Sequence, residues 1–331
     1  MQMECRFTQP EILRLAHALE MPAEIYGSNG IKTDAVTALC MLLRRLSYPN
    51  RHANCYLMFG WRPERMSRIV DSTLTFIYSR WRFLLEWNLQ LLSPIRLRQY
   101  ADIIHRKGCP LENCWGFIDG SLFPIARPGR LQRCVYNGHK RKHCLKYHCI
   151  VVPDGLIAHA YGPWEGRRND AHLWNESRLD QILEAHGQDP NGQRLQLYGD
   201  SAYGNTVHCL SPYGGNFVTS EQHRFNQQMS RLRIVNEWVF KELKTVMFPF
   251  LNYGKNLKLY LQPVGKMITT AMILHNAHVC LHHPQITQFF RTSLVPAQHP
   301  GQSEDEIWIN PPLLEEYFTG NAPSPNPYNF L

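Results

Sequence analysis

Three carboxylates stand where a fold could gather them. Asp119 closes Trp115-Gly116-Phe117-Ile118-Asp119-Gly120-Ser121, Asp200 lies in Tyr198-Gly199-Asp200-Ser201-Ala202-Tyr203-Gly204, and Glu237 lies in Asn236-Glu237-Trp238-Val239-Phe240-Lys241. The first two read as strand ends running into Gly turns, and the third sits in a helical pattern. They are far apart in sequence, so only tertiary structure could bring them together. Hard oxygen donors from separate elements suit Mg²⁺ or Mn²⁺. A pair of such ions can activate water and stabilise a leaving oxygen in phosphodiester cleavage.

The composition agrees with a polyanionic partner. The 331 residues carry a formal net charge of +8, with a pI near 9.0. Lys and Arg gain affinity for nucleic acid by releasing counterions from phosphates. At 44% hydrophobic residues the chain can build a large core. The N-terminus lacks the apolar stretch of a signal peptide, and no run reaches the roughly 18 apolar residues of a membrane span. Ten Cys at irregular spacing point to reduced thiols, several of them buried.

The elements that must position the acids divide the chain in three. Residues 1–108 read as an all-α, helix-turn-helix-like domain. Thr33-Asp34 caps a helix with Val36, Leu39, Cys40, Leu43 and Leu46 on one face. A short helix from about Ala53 to Phe59 is followed by a turn at Gly60-Trp61-Arg62. A longer helix then opens at Pro63, with Met66, Ile69, Val70, Thr73, Leu74 and Ile77 on its apolar stripe. Arg62, Arg65 and Arg68 stand where such a motif would meet DNA. Residues 109–285 read as an α/β unit with a mixed sheet. Its strands are expected at Cys114–Ile118, Leu145–Val152, Leu156–Tyr161 and Leu195–Gly199, with a further one at Asn216–Thr219. Helices are expected at about Gln222–Lys244 and Gln262–Cys280. Residues 286–331 form a Pro-rich tail expected to be disordered or draped on the surface.

Other residues could serve the same chemistry. Lys140, Arg141, Lys142 and Lys146 form a basic stretch able to meet phosphates, and the alternative is a solvated loop. Cys134, His139, His143, Cys144, His148 and Cys149 invite a zinc reading, but no Cys-x₂-Cys pair is present. Strand alternation would also send His148 and Cys149 to opposite faces. Asp170 either steers a ligand or, with Asn169, caps the helix that follows; capping is the simpler reading. A phosphatase using an Asp nucleophile would need an acid where Phe117 stands.

Taken together, the blocks resemble the PIF/Harbinger-type transposases and their domesticated nuclease relatives, members of the DDE superfamily of endonucleases. The resemblance covers about residues 33–280. It rests on Gly116–Ser121, Pro153-Asp154-Gly155-Leu156, Gly166-Arg167-Arg168-Asn169-Asp170 with Ser177, Tyr198–Tyr203, Asn236–Lys244 and Leu274-His275-Asn276. The family usually has Thr-His where Ser121-Leu122 stand and Gly-Tyr where Ala202-Tyr203 stand, and differs also at Asn236 and Lys241. The resemblance implies an RNase H-like core in which Asp119, Asp200 and Glu237 bind two Mg²⁺ or Mn²⁺ ions and cleave DNA. Arg167 or Lys244 would stabilise charge on the phosphate. It further implies double-stranded DNA as substrate, a separate Myb-like DNA-binding partner protein, a homo-oligomer and a nuclear location, or a cytoplasmic one without the partner. The alternative is a domesticated DNA-binding or scaffold protein that has lost catalysis.

Overall fold

The structure is a computed structural model that describes residues 2–49, 52–215, 217–282, 285–291 and 309–320. Its N-terminal part is built mainly from α1 (Gln9–Ala18), α2 (Ala35–Ser47), α3 (Pro63–Trp81) and α4 (Pro94–Arg106). Asp34 caps α2 by accepting from the Thr37 N–H at 2.8 Å. Gly60, with φ 68°, ends the short helix Tyr56–Phe59 in the left-handed conformation that Gly adopts without a Cβ clash. Pro63 then opens α3, whose whole expected stripe is buried. Each buried aliphatic side chain of that stripe contributes about 1.5–3 kcal/mol. One expectation is corrected. This part is not all-α, because β1 (Glu24–Tyr26) pairs antiparallel with β2 (Lys32–Asp34). The hairpin turns through Asn29 and Gly30, both at positive φ, and its three-residue strands are too short to leave an alternating pattern.

The second part is a mixed sheet. β3 (Cys114–Pro124) lies between β5 (Lys142–Val151) and β7 (Gln196–Tyr198). β4 (Tyr136–Asn137) and β6 (Ile157–Glu165) pair with β5, and β8 (Cys209–Leu210) pairs with β7. Pairings among β3, β4, β5 and β6 are antiparallel, and those of β3 with β7 and β7 with β8 are parallel. Helices α5 (Asp170–Ser177), α6 (Leu179–His186), α7 (Ser220–Lys241) and α8 (Val264–Leu281) complete the unit. After α7 the chain continues in a wider helical turn through Glu242–Met247.

Three further expectations change. β3 runs on through Asp119 and Gly120 to Pro124, so these two residues lie inside a strand and not in a turn. The strand expected at 216–219 is absent over Phe217–Thr219, because Thr219 instead caps α7 in a capping box with Gln222; Asn216 lies outside the described residues. The tail is also not wholly surface-draped. Leu314, Tyr317 and Phe318 are buried, and Tyr317 accepts a 2.9 Å hydrogen bond from Asn276. Residues 292–308 and 321–331 lie outside the described residues.

Two buried polar locks tie the layers. Asp154, in the β5–β6 turn, is fully buried and accepts from Arg96 Nη2 at 2.9 Å, from the Tyr100 hydroxyl, and from the Leu156 N–H at 3.1 Å. This fastens α4 to the hairpin. Asn276 on α8 accepts from the Ile157 N–H and donates to the Ile157 carbonyl, both at 2.9 Å, besides holding Tyr317. One buried amide therefore satisfies a strand backbone and anchors a distant segment. Asn276→Ala is expected to lower the unfolding free energy by about 2–4 kcal/mol, since it orphans buried backbone groups; urea unfolding of the two proteins measures the difference.

Candidate active site

Parallel pairing sets Phe117 opposite Tyr198. Asp119 and Asp200 each lie two residues beyond that last pair, and Asp200 is near enough for its charge to raise the Asp119 carboxyl. Asp200 lies just past the end of β7, where its Oδ1 accepts from the Ala202 N–H at 2.9 Å.

The glycines beside these acids answer to crowding. A Cβ on Gly120 would lie 2.9 Å from Lys146 Cε and would overlap the Asp170 carboxylate. A Cβ on Gly199 would lie 2.8 Å from the Tyr203 ring and 3.0 Å from Ile118. On the face of β3 opposite Asp119, Lys146 donates to Asp170 Oδ2 at 2.9 Å and to the Arg168 carbonyl at 3.2 Å. This corrects two expectations. Lys146 is buried and ion-paired, so it is not placed to meet a phosphate. Asp170 is not the cap of α5; Asn169 is, accepting from the His172 N–H at 2.9 Å.

Glu237 reaches the site from α7. It is exposed and shares a cleft of about 350 Å³ with Asp119, Ser121, Lys140, Lys142 and Lys244. Lys244 donates to Ser121 Oγ at 2.7 Å and to the Leu122 carbonyl at 2.9 Å, bridging the helical segment to β3. Burial lowers its ammonium to about 8. One turn before Glu237 the sequence reading missed a residue: Arg233 Nη1 donates to Asp119 Oδ2 at 3.2 Å. Its signal was the four-residue spacing from Glu237, which stacks both on one helix face.

The remaining basic candidates lie apart from Asp119. Arg141 is exposed at positive φ in the loop between Lys140 and Lys142. Arg167 is exposed and lines a separate cavity with Arg127, Arg133 and Tyr136. Arg62 and Arg65 are exposed at the start of α3, with Arg65 stacked 4.9 Å from the Trp61 ring centroid. Arg68 is half-buried beside Arg45 and Lys266 in another cavity.

The donor set suits a hard divalent ion in kind, since Asp119 feels the Asp200 charge and shares its cleft with Glu237. Burial raises the Asp119 carboxyl to about 6. Asp200 and Asp170 push in the same direction, while Arg233 and the Gly120 N–H oppose them. A cation beside Asp119 would relieve that cost. Among the described residues, however, no three His, Cys, Asp or Glu side chains are gathered as one ligand group.

Residues 118–276 match the sequence model of the DDE superfamily endonuclease family. A probable transposase for insertion sequence element IS702 from Microchaete diplosiphon is 28% identical to the chain over 134 residues, which cover 38% of this chain and 45% of that protein. The chain thus spans less than half the length of that curated relative. No solved structure matches the chain. The family match takes in Asp119, Asp170, Asp200 and Glu237 together.

The raised Asp119 carboxyl has a consequence for stability. Its proton is held more tightly in the folded protein than in the unfolded chain, so ionisation costs stability. That contribution is intact below about pH 4 and is lost as pH rises through about 6. Asp119→Asn removes the charge. Its stability relative to wild type should therefore improve by about 1–3 kcal/mol between pH 4 and neutral pH; thermal melts across that range read it, and a pH-independent difference would contradict it.

Proposed function

We propose that the protein is a metal-dependent DNA endonuclease of the transposase kind, cutting phosphodiester bonds at Asp119, Asp200 and Glu237. The observation that carries this reading is that the parallel β3–β7 pairing ends two residues short of Asp119 and Asp200, whose charges interact, beside a lysine-lined cleft shared by Asp119 and Glu237. The sheet order, with β3 between antiparallel and parallel neighbours, supports an RNase H-like core. Asp119 and Asp200 would hold divalent metal, with Glu237 as third ligand and Mg²⁺ or Mn²⁺ as the ions, two in all. When bound, such ions make water a nucleophile and stabilise the leaving oxygen. The chain's own contribution is to hold the acids in place through the β3–β7 register and the Lys244 bridge. Lys140 and Lys142 draw the DNA backbone toward the cleft.

The sequence blocks favour a PIF/Harbinger-type member over other branches of the superfamily. On that reading Arg62, Arg65 and Arg68 belong to a helix-turn-helix-like module on double-stranded DNA. A Myb-like partner, a homo-oligomer and a nuclear location go with it. Arg141 and Arg167 are further candidates for phosphate contact.

A second reading has its own observation. Arg233 holds Asp119, and the three acids do not converge, as expected of a domesticated DNA-binding protein without catalysis. Nicking of supercoiled plasmid in Mn²⁺ separates the two. The nuclease reading expects wild type to nick and Asp119→Asn, Asp200→Asn and Glu237→Gln to fall to background. The scaffold reading expects no metal-dependent nicking by any of them. On either reading Arg62→Ala and Arg65→Ala should weaken duplex binding on all sequences. Each should also reduce the slope of log affinity against log salt by about 1, which fluorescence anisotropy at several salt concentrations measures.

A further inference from the structure

A cavity of about 650 Å³ lies where α2 and α3 of the N-terminal part meet the start of α8, and it shares no lining residue with the Asp119 cleft. Three cations enter its lining, each from a different helix: Arg45 from α2, Arg68 from α3 and Lys266 from α8. Asp71 is the one acid of the lining among the described residues, so two positive charges stand in excess.

Two of these cations stand where a positive charge is costly. Arg45 is only 9% exposed and is stacked 4.0 Å from the Phe250 ring centroid, and burial lowers its guanidinium to about 10. Lys266 is the third residue of α8, at the positive end of that helix's dipole. Pro263 at the cap makes no side-chain bond to the first turn, and that turn holds no acid. The usual arrangement is the reverse, with an acid in the first turn. Arg68 and Lys266 alone would suit a solvated surface, but Arg45 is drawn into the wall. An anion in the cavity would meet the three cations and the helix end at once.

Charge and size choose the anion. Each phosphodiester of a duplex carries about one negative charge. A phosphate monoester carries about 1.5 to 2 at neutral pH, which matches the excess in the lining. A duplex also keeps its backbone outside a cavity wall, beyond the reach of a side chain as covered as Arg45. The volume falls within the range of small-ligand sites and leaves room for more than a phosphate. Ser67 and Ser72 add hydroxyl donors, and Leu259, Tyr260 and Leu261 border the cavity with apolar surface.

We propose that this cavity is a phosphate-monoester site. It takes the phosphate among Arg45, Arg68 and Lys266, and the organic part against Leu259, Tyr260 and Leu261. The source is a free small phosphorylated molecule or the 5′-phosphorylated end of a DNA strand. By joining α2 and α3 to α8, the bound group ties the N-terminal part to the unit that carries Asp119. The inference does not rest on the nuclease reading.

The test is binding of inorganic phosphate and adenosine 5′-monophosphate to the full chain, against adenosine and against chloride at matched ionic strength, by calorimetry and thermal melting. Both phosphates should bind saturably and raise the melting temperature; adenosine and chloride should not. Lys266→Ala should weaken both about ten- to a hundredfold, the worth of a lost charge-assisted hydrogen bond. Without ligand it should melt no lower than wild type, because it removes a cation from a helix N-terminus. Lys266→Arg should keep the binding, Arg68→Ala should weaken it, and Asp71→Asn, which removes the acid, should tighten it. Oligonucleotides with a 5′-phosphate or a 5′-hydroxyl separate the sources. A preference for the phosphorylated strand that Lys266→Ala abolishes assigns the site to a DNA end, and binding of the monophosphate without that preference assigns it to a free molecule. Absence of saturable binding of either phosphate to wild type, or binding left unchanged by Lys266→Ala or by Arg68→Ala, overturns the proposal. If Arg68→Ala does not fold, Lys266→Ala and Asp71→Asn decide.

Discussion

The candidate site hangs on one pairing, the parallel register of β3 with β7 that sets Phe117 opposite Tyr198. Side chains alternate along a strand, so a slip of one residue would turn Asp119 and Asp200 to opposite faces. The register is guarded from behind. Gly120 admits the Lys146–Asp170 ion pair and Gly199 admits the Tyr203 ring, and any larger residue at either position would collide. The two acids and the two glycines beside them form one packing unit. Asp154 and Asn276 then fasten the surrounding helices to the same sheet.

Electrostatics at this unit are costly by construction. A basic chain places Asp200 within reach of the Asp119 charge, and burial holds Asp119 well above the usual carboxylate range. Arg233 and Lys244 sit on the two sides of that field, the first on Asp119 and the second across Ser121 and Leu122. Polar groups left expensive together in one cleft are the expected mark of a place where ligands complete the bonding.

Much of this was legible in the residues, for reasons that differ by element. The stripe of α3, the Asp34 cap, Pro63 and the Pro153-Asp154-Gly155 turn are local signals, and local physics produces them. Asp119, Asp200 and Glu237 stood out by residue type and by resemblance, and the family match encloses all three. What stayed hidden was set by tertiary contact. Asp119-Gly120 reads as a turn because Gly usually marks one, yet this Gly serves close approach inside a strand. Lys146 reads as part of a basic loop, and only the fold reveals the acid that holds it. The β1–β2 hairpin and β8 are too short to carry a period. The docking of Leu314, Tyr317 and Phe318 rests on partners far away in sequence, Asn276 bonded to Tyr317 and Trp81 packed on Phe318 among them.

The central claim is that Asp119 and Asp200 form a divalent-metal site. Its most direct test is an anomalous difference map from crystals of the full chain grown with Mn²⁺ and recorded at the manganese edge. A peak bridging the Asp119 and Asp200 carboxylates, absent from crystals of Asp119→Asn, is the expected result. Well-ordered carboxylates with no peak between them, and with Arg233 still on Asp119 at saturating Mn²⁺, would contradict it.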